Sequence, residues 1–269
     1  MTSPLHRHQL LRLTSDGWAH ALRCASDDDA RRCLALWAER DHPLVVTRQS
    51  HAPDGRVAVG LPAPAMFGRR RLALAVEPSH VASFDVFPRG DAVDELLAPG
   101  TRAAWPSLLD ALAAAECVPR VYGGHGWQLI TGLDYLHAGS DLDLLLPVPD
   151  AASADDVCAA LQRSPIANPR LDGELLFSER VRSCFRLAAE KAATGSGLAS
   201  CFTSEKHEAR PDPPVDAADR SRKQDLTLLG GDAIAWREWL GWREGRAGRV
   251  LVKRLREVAL IDPAARATC

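Results

Sequence analysis

A chain of 269 residues has room for two modest domains, each able to bury a core of its own. Its formal charge of −2, with 33 Lys and Arg against 35 Asp and Glu, excludes the dense positive field of a nucleic-acid binder. With no long uncharged apolar run, no signal-like apolar core in Met1-Thr-Ser-Pro-Leu-His-Arg-His8 and no Cys-x-x-Cys pair among seven cysteines, the expectation is a cytoplasmic protein with reduced thiols, no zinc site and neither membrane nor nucleic-acid partners.

In chain order, residues 5–48 alternate helical stretches with a strand. Trp18–Cys24 and the run from Asp27 to Trp37 suit helices, the second opening on acids that favour the positive N-terminal end. Pro43–Arg48 is rich in β-branched residues and reads as a strand. His6, Arg7 and His8 form a small basic cluster, expected to be a solvated terminus. Val57–Pro62 and Phe67–Val76 read as strands, and Arg69-Arg70-Arg71 enters the second. Two readings stay open for that triplet: a charged edge that discourages sheet pairing, or a contact for substrate phosphates or an acidic protein partner. Turn formers from Pro88 to Gly100 enclose a brief helix and mark a domain boundary, so residues 1–95 form a smaller N-terminal domain and 101–269 a second. Ala104–Glu116 is a strong helix with Pro106 near its start.

The stretch from Arg120 to Leu146 carries the chemistry. It reads as a short strand, a Gly123-Gly124 turn, a helix, a polar loop and a strand bearing Asp141 and Asp143. Residues two apart on a strand share a face, so the two carboxylates project together while Leu142, Leu144 and Leu146 point into a core. Paired carboxylates repel unless a cation lies between them, so the pair calls for a divalent metal. Gly123 and Gly124 leave backbone N–H groups free beside the positive end of a helix, a cradle for phosphate. A phosphate cradle facing a carboxylate pair is the working part of a nucleotidyltransferase.

Farther on, Ser153 caps a helix, and Pro169–Phe177 is a strand that again puts two acids, Asp172 and Glu174, on one face. Residues 178–226 hold a short amphipathic helix and a long polar tract, read as a mobile insertion. A strand then runs into a helix across Gly230–Leu240, whose Trp236 and Trp239, with Trp242, suit core packing, and Arg249–Leu255 makes a last strand. Lys253 sits in its apolar alternation, either as an edge lysine or as a pyrophosphate ligand.

Val121-Tyr-Gly-Gly124, Trp127-Gln128, Leu129-Ile-Thr-Gly-Leu133, Tyr135-Leu136 and Ser140-Asp-Leu-Asp-Leu-Leu145 resemble the malonate decarboxylase holo-acyl-carrier-protein synthases, also called phosphoribosyl-dephospho-CoA transferases, within the nucleotidyltransferase superfamily. The likeness covers most of 5–177 and 228–261 and departs at Gly124, where the superfamily often has Ser, and at the insertion. It implies an α/β (α+β) fold: a nucleotidyltransferase-like mixed sheet with helices, preceded by a family-specific N-terminal domain. It further implies transfer of a phosphoribosyl-dephospho-CoA group from triphosphoribosyl-dephospho-CoA to a serine of the malonate decarboxylase acyl carrier protein, with release of pyrophosphate. Asp141 and Asp143 would hold Mg²⁺, and Gly123, Gly124 and Lys253 would meet the phosphates. A third carboxylate on the neighbouring strand would be Asp172 or Glu174, with Asp172 helping to deprotonate the carrier serine. Two other readings stay open: an ATP-dependent small-molecule nucleotidyltransferase, and a catalytically silent protein that binds the carrier or a nucleotide.

Overall fold

The computed structural model describes residues 5–49, 55–177 and 232–261, and the expected insertion at 178–226 lies outside them. The N-terminal part is an antiparallel sheet of order β4-β3-β2-β1-β5, made of β1 (Leu10–Leu13), β2 (Leu44–Val46), β3 (Val57–Pro62), β4 (Arg71–Val76) and β5 (Val81–Asp85). Helices α1 (Ser15–Arg23) and α2 (Asp28–Glu39) follow β1. Each starts where a side-chain oxygen takes up an orphan N–H: Thr14 accepts from Gly17 N at 3.1 Å, and Asp27 from Ala30 N at 2.8 Å. Ala30, Cys33, Leu34 and Trp37 recur at helical spacing and are buried among the sheet's leucines and valines. Strands β1 and β5 are additions to the sequence reading. β1 is four residues with an arginine among leucines, too short for a period to declare itself.

The second part is a mixed six-stranded sheet of order β11-β10-β9-β8-β7-β6. Its strands are β6 (Arg120–Val121), β7 (Leu142–Val148), β8 (Leu171–Phe177), β9 (Ala233–Ala235), β10 (Val250–Lys253) and β11 (Val258–Ile261). Only β7 and β8 run parallel, joined through helix α5 (Ala151–Arg163); the other pairs are antiparallel. Helix α3 (Pro99–Ala114) precedes β6, α4 (Gly123–Thr131) leads away from it, and α6 (Trp236–Arg243) follows β9. Two helix starts differ from expectation. α3 begins at Pro99, which takes the first-turn place expected of Pro106 and leaves Pro106 inside the helix. α5 is capped by Asp150, whose carboxylate accepts from Ser153 N at 2.8 Å, so Ser153 receives the cap instead of making it.

The Leu144-Leu145-Leu146 run of β7 follows from burial on both faces, the usual condition of a parallel pair. Leu142, Leu144 and Leu146 pack with Leu171, Leu175 and Phe177 against α3, α5 and α6, where Trp236 and Trp239 are also buried. Leu145 and Leu176 point the other way, into a core shared with the N-terminal sheet. Phe87, Trp127 and Tyr135 join the two parts there; Phe87 meets Trp127 edge-on with ring centroids 5.6 Å apart. Backbone bonds cross the same junction, from Ala65 N to Asp134 O (2.9 Å) and from Gln49 N to Leu255 O (2.8 Å). The Tyr135 hydroxyl also donates across it, to Pro62 O at 2.8 Å. Among the described residues no helix is long and apolar enough to cross a membrane.

Tyr135→Phe removes that one donor and keeps the ring, so it should lower stability by about 1 kcal/mol, read as a lower urea midpoint with an unchanged slope. An unchanged midpoint would show that the hydroxyl contributes nothing to holding the two parts together.

Candidate active site

The site forms where β6 turns into α4 against the start of β7. Gly123 has φ of +59°, a left-handed conformation that disfavours any side chain, and a Cβ there would overlap the Asp143 carboxylate. At Gly126, one turn on, a Cβ would overlap Val121 O, so only glycine lets the helix start so close to the strand it leaves. Two hydrogen bonds and a strand ladder then fix the carboxylate strand to this turn and helix. Tyr122 N donates to Asp143 O (3.0 Å), His125 Nδ1 to Asp141 O (3.0 Å), and the β6–β7 ladder runs through Val121 and Leu144. Gln128 explains the spacing of the later motif residues: its Oε1 accepts from both Tyr135 N (3.1 Å) and Leu136 N (3.2 Å), closing the loop back over α4.

Asp143 lies on β7 directly beside Asp172 on β8, because the parallel register pairs Asp143 with Asp172 and Leu145 with Glu174. Burial first, then the charges of Asp172 and Asp141, push the Asp143 pKa up to about 6. Asp141 stands one residue before β7 and is partly exposed, so only Asp143 is on the strand proper. The Arg170 guanidinium holds the Asp141 pKa below the usual carboxylate range; its Nε lies 3.1 Å from Asp141 Oδ1, and its Nη2 reaches Asp172 Oδ2 at 3.4 Å.

Glu174 is surrounded differently. Its carboxylate is buried and meets Lys253 Nζ at 2.7 Å, His8 Nε2 at 3.1 Å and Arg7 Nη1 at 3.6 Å. Burial raises its pKa, but the His8 hydrogen bond and the charges of His8, Arg7 and Lys253 outweigh it and bring the pKa to about 2. This corrects one expectation. The His6-Arg7-His8 cluster is no solvated terminus: His6 is buried, and its neighbours neutralise Glu174, with His8 a partner 166 residues away that no local pattern announces. Lys253, read as an edge lysine or as a phosphate ligand, pairs with the same carboxylate and lines neither of the cavities described next.

A recess of about 320 Å³ opens over the site, walled by Gly124, Ser140, Asp141 and Asp143 on one side and by Arg69 and Arg71 on the other. It continues past Arg71, Gly124 and Asp143 into a cavity of about 690 Å³ between the N-terminal sheet and α4, lined by Leu61, Leu72, Phe87, Tyr122 and Trp127. Charge stands at one end and aromatic and aliphatic surface at the other. Asp141 and Asp143 offer the recess hard carboxylate oxygens, the donor type that suits a divalent cation such as Mg²⁺. Among the described residues no three His, Cys, Asp or Glu side chains form a ready-made metal cage. The residues to which the sequence reading gave no part in the site are Arg170 and His125. Arg170 stands two residues before Asp172, just ahead of β8, and that spacing is the signal that would have found it.

Residues 6–87 match the family model described as the phosphoribosyl-dephospho-CoA transferase MdcG N-terminal domain, and residues 89–183 match that of the MdcG C-terminal domain. The chain is 37% identical over 183 residues to a phosphoribosyl-dephospho-CoA transferase of Bradyrhizobium diazoefficiens, a match covering 65% of this chain and 78% of the relative. It is 33% identical over 176 residues to a protein of the same name from Xanthomonas campestris pv. campestris, covering 64% and 80%. A Pseudomonas putida relative, again so named, is 33% identical over 138 residues, covering 49% of this chain and 63% of its own. No solved structure matches the chain.

Two opposite shifts set how the metal-free protein responds to pH. The Asp143 pKa is raised by folding, so its stabilising contribution is complete below about pH 3.8 and is lost as pH rises through about 6. Asp143→Asn should therefore be more stable than the parent at about pH 7.5, by up to about 3 kcal/mol, with the gap shrinking as pH falls and closing by about pH 3. A mutant less stable at both pH values would refute the strained-carboxylate account. Glu174 is the reverse case: its contribution is present above about pH 4.5 and is lost as pH falls through about 2. Glu174→Gln should cost about 3 kcal/mol or more in denaturant titrations at neutral pH, since it leaves Lys253 facing an uncharged buried partner. A loss below about 1 kcal/mol would mean that water already shields the cluster.

Proposed function

Since the chain belongs to the phosphoribosyl-dephospho-CoA transferase family, it is a transferase, and we propose that it moves a phosphoribosyl-dephospho-CoA group from the triphosphate precursor to a serine of the malonate decarboxylase acyl carrier protein, releasing pyrophosphate in the cytoplasm. The observation that carries the reading is the pairing of Asp143 with Asp172 across β7 and β8, with the Gly123 turn pressed against Asp143. Phosphoryl transfer requires little of the protein beyond positioning and charge, and this arrangement supplies both.

The serine Oγ attacks the α-phosphorus, a new P–O bond forms, and the bond to the β-phosphate breaks with its electron pair leaving on pyrophosphate. Asp172, paired with Asp143 across the two strands, takes the serine proton. Asp141 and Asp143 are the residues that would hold Mg²⁺, which supplies charge neutralisation at the α-phosphate and the leaving group. The first-turn N–H groups of α4 at Gly123 and Gly124 face the outgoing phosphates with the positive end of the helix behind them. His125 keeps the Asp141 backbone in place, and Arg170 holds the Asp141 side chain until substrate and metal arrive. The apolar cavity beside Trp127 and Phe87 excludes water from the organic part of the substrate.

Incubation of apo acyl carrier protein with this protein, Mg²⁺ and triphosphoribosyl-dephospho-CoA should add the mass of one phosphoribosyl-dephospho-CoA group to the carrier. With ATP as donor the carrier mass should stay unchanged. Asp141→Asn and Asp143→Asn should each lower the rate by about 100-fold or more while the protein still melts cooperatively. Substantial transfer by either variant would overturn the assignment of these carboxylates.

A further inference from the structure

The geometry points to Arg69 and Arg71, contributed by the N-terminal sheet, as the residues that bind the leaving pyrophosphate of the triphosphate substrate. The inference deepens the transfer reading and rests on it for the identity of the ligand. Three consecutive arginines enter β4, and the structure treats them unequally. Arg70 faces α2, where its Nη1 lies 3.0 Å from Oδ1 of Asp27, the residue that caps that helix. Folding uses that guanidinium to tie β4 to α2, and the pairing lowers the Asp27 pKa well below its ordinary value.

Arg69 and Arg71, one residue to either side, line the recess over the active site. Neither has an ion-pair partner among the described residues, although the opposite wall carries Asp141 and Asp143. Arg71 opens β4 opposite Pro62, whose carbonyl the Tyr135 hydroxyl holds, so its backbone is anchored to the same loop that closes over α4. Arg69 follows Gly68 in a left-handed turn, with φ of 53° and 71° at the two residues, which sets the two guanidinium-bearing positions at the mouth of the recess.

Two unneutralised guanidiniums across a narrow gap from free helix N–H groups and a carboxylate pair suit one class of ligand: a compact polyanion with oxygens for the arginines and oxygens for a metal. A diphosphate or triphosphate has that character, and guanidinium forks match its geometry in two directions at once. The catalytic strands would then supply the carboxylates while the N-terminal sheet supplies cations for the leaving group. Lys253, the residue whose sequence context suggested that role, is occupied with Glu174.

The test is calorimetric titration of the full chain with inorganic pyrophosphate in the presence of Mg²⁺, alongside titration with dephospho-CoA. Arg69→Ala and Arg71→Ala should each weaken pyrophosphate binding by about 10- to 100-fold and leave dephospho-CoA binding unchanged, with partial recovery in Arg71→Lys. Arg70→Ala should bind pyrophosphate within about twofold of the parent. The proposal is overturned if Arg69→Ala and Arg71→Ala bind pyrophosphate like the parent, or if Arg70→Ala loses as much as they do. It is overturned equally if charge reversal at 69 and 71 slows association with the apo carrier but spares pyrophosphate. Carrier charging, measured on the same proteins, keeps the two levels apart. A parent that charges the carrier with arginine-independent pyrophosphate binding retires this proposal alone; a parent that binds pyrophosphate through Arg69 and Arg71 but never charges the carrier retires the transfer reading alone.

Discussion

The hydrogen-bonded register of β7 and β8 holds Asp143 against Asp172, and most of what surrounds it answers the repulsion between them. Parallel pairing puts the two Cα atoms side by side, and burial of both sheet faces prevents the strands from slipping to separate the charges. The strain stays local because Gly123 leaves room for the Asp143 carboxylate and Arg170 offsets part of the charge from the exposed side. Folding thus keeps a group half-reluctant to ionise at the point where a cation and a phosphate would make ionisation favourable. Stability is given up for that, on the scale of a few kcal/mol.

Glu174 lies two residues along the same strand face and has the opposite fate. Asp172 and Glu174 are chemically alike and share a direction, but Glu174 points to where the N-terminal segment and β10 converge, and three basic side chains surround it. The Glu174 carboxylate is neutralised by its own protein, whereas Asp172 stands beside another acid with Arg170 at 3.4 Å.

Much of this was legible in the sequence. The order of strand, Gly-Gly turn, helix and Asp-x-Asp strand and the burial of Trp236 and Trp239 rest on local periodicity, which a single sequence displays, and the α+β class followed from the family resemblance. The choice between Asp172 and Glu174 was open because it depends on register with β7 and on cations from residues 7, 8 and 253, none of them local. Lys253 stayed between an edge lysine and a phosphate ligand, and the His6-Arg7-His8 cluster was read as a solvated tail, for the same reason: the Glu174 partner is distant in the chain. The arginine triplet shows the limit from another side. Three identical neighbours take two different roles, decided by which wall of the fold each one lines.

The cluster around Glu174 also sets an order of events while the chain is being made. Arg7 and His8 leave the ribosome early and Glu174 much later, at a separation of 166 residues for the His8 contact, and Lys253 follows after a further 79. Until the lysine emerges, β8 carries a carboxylate whose compensation is incomplete, and its strand neighbour β9 gains β10 only at the same moment. The six-stranded sheet therefore closes only once β10 has emerged, and a nascent chain stopped before β10 holds the Asp143–Asp172 pair in a frame that still lacks the Lys253 cation.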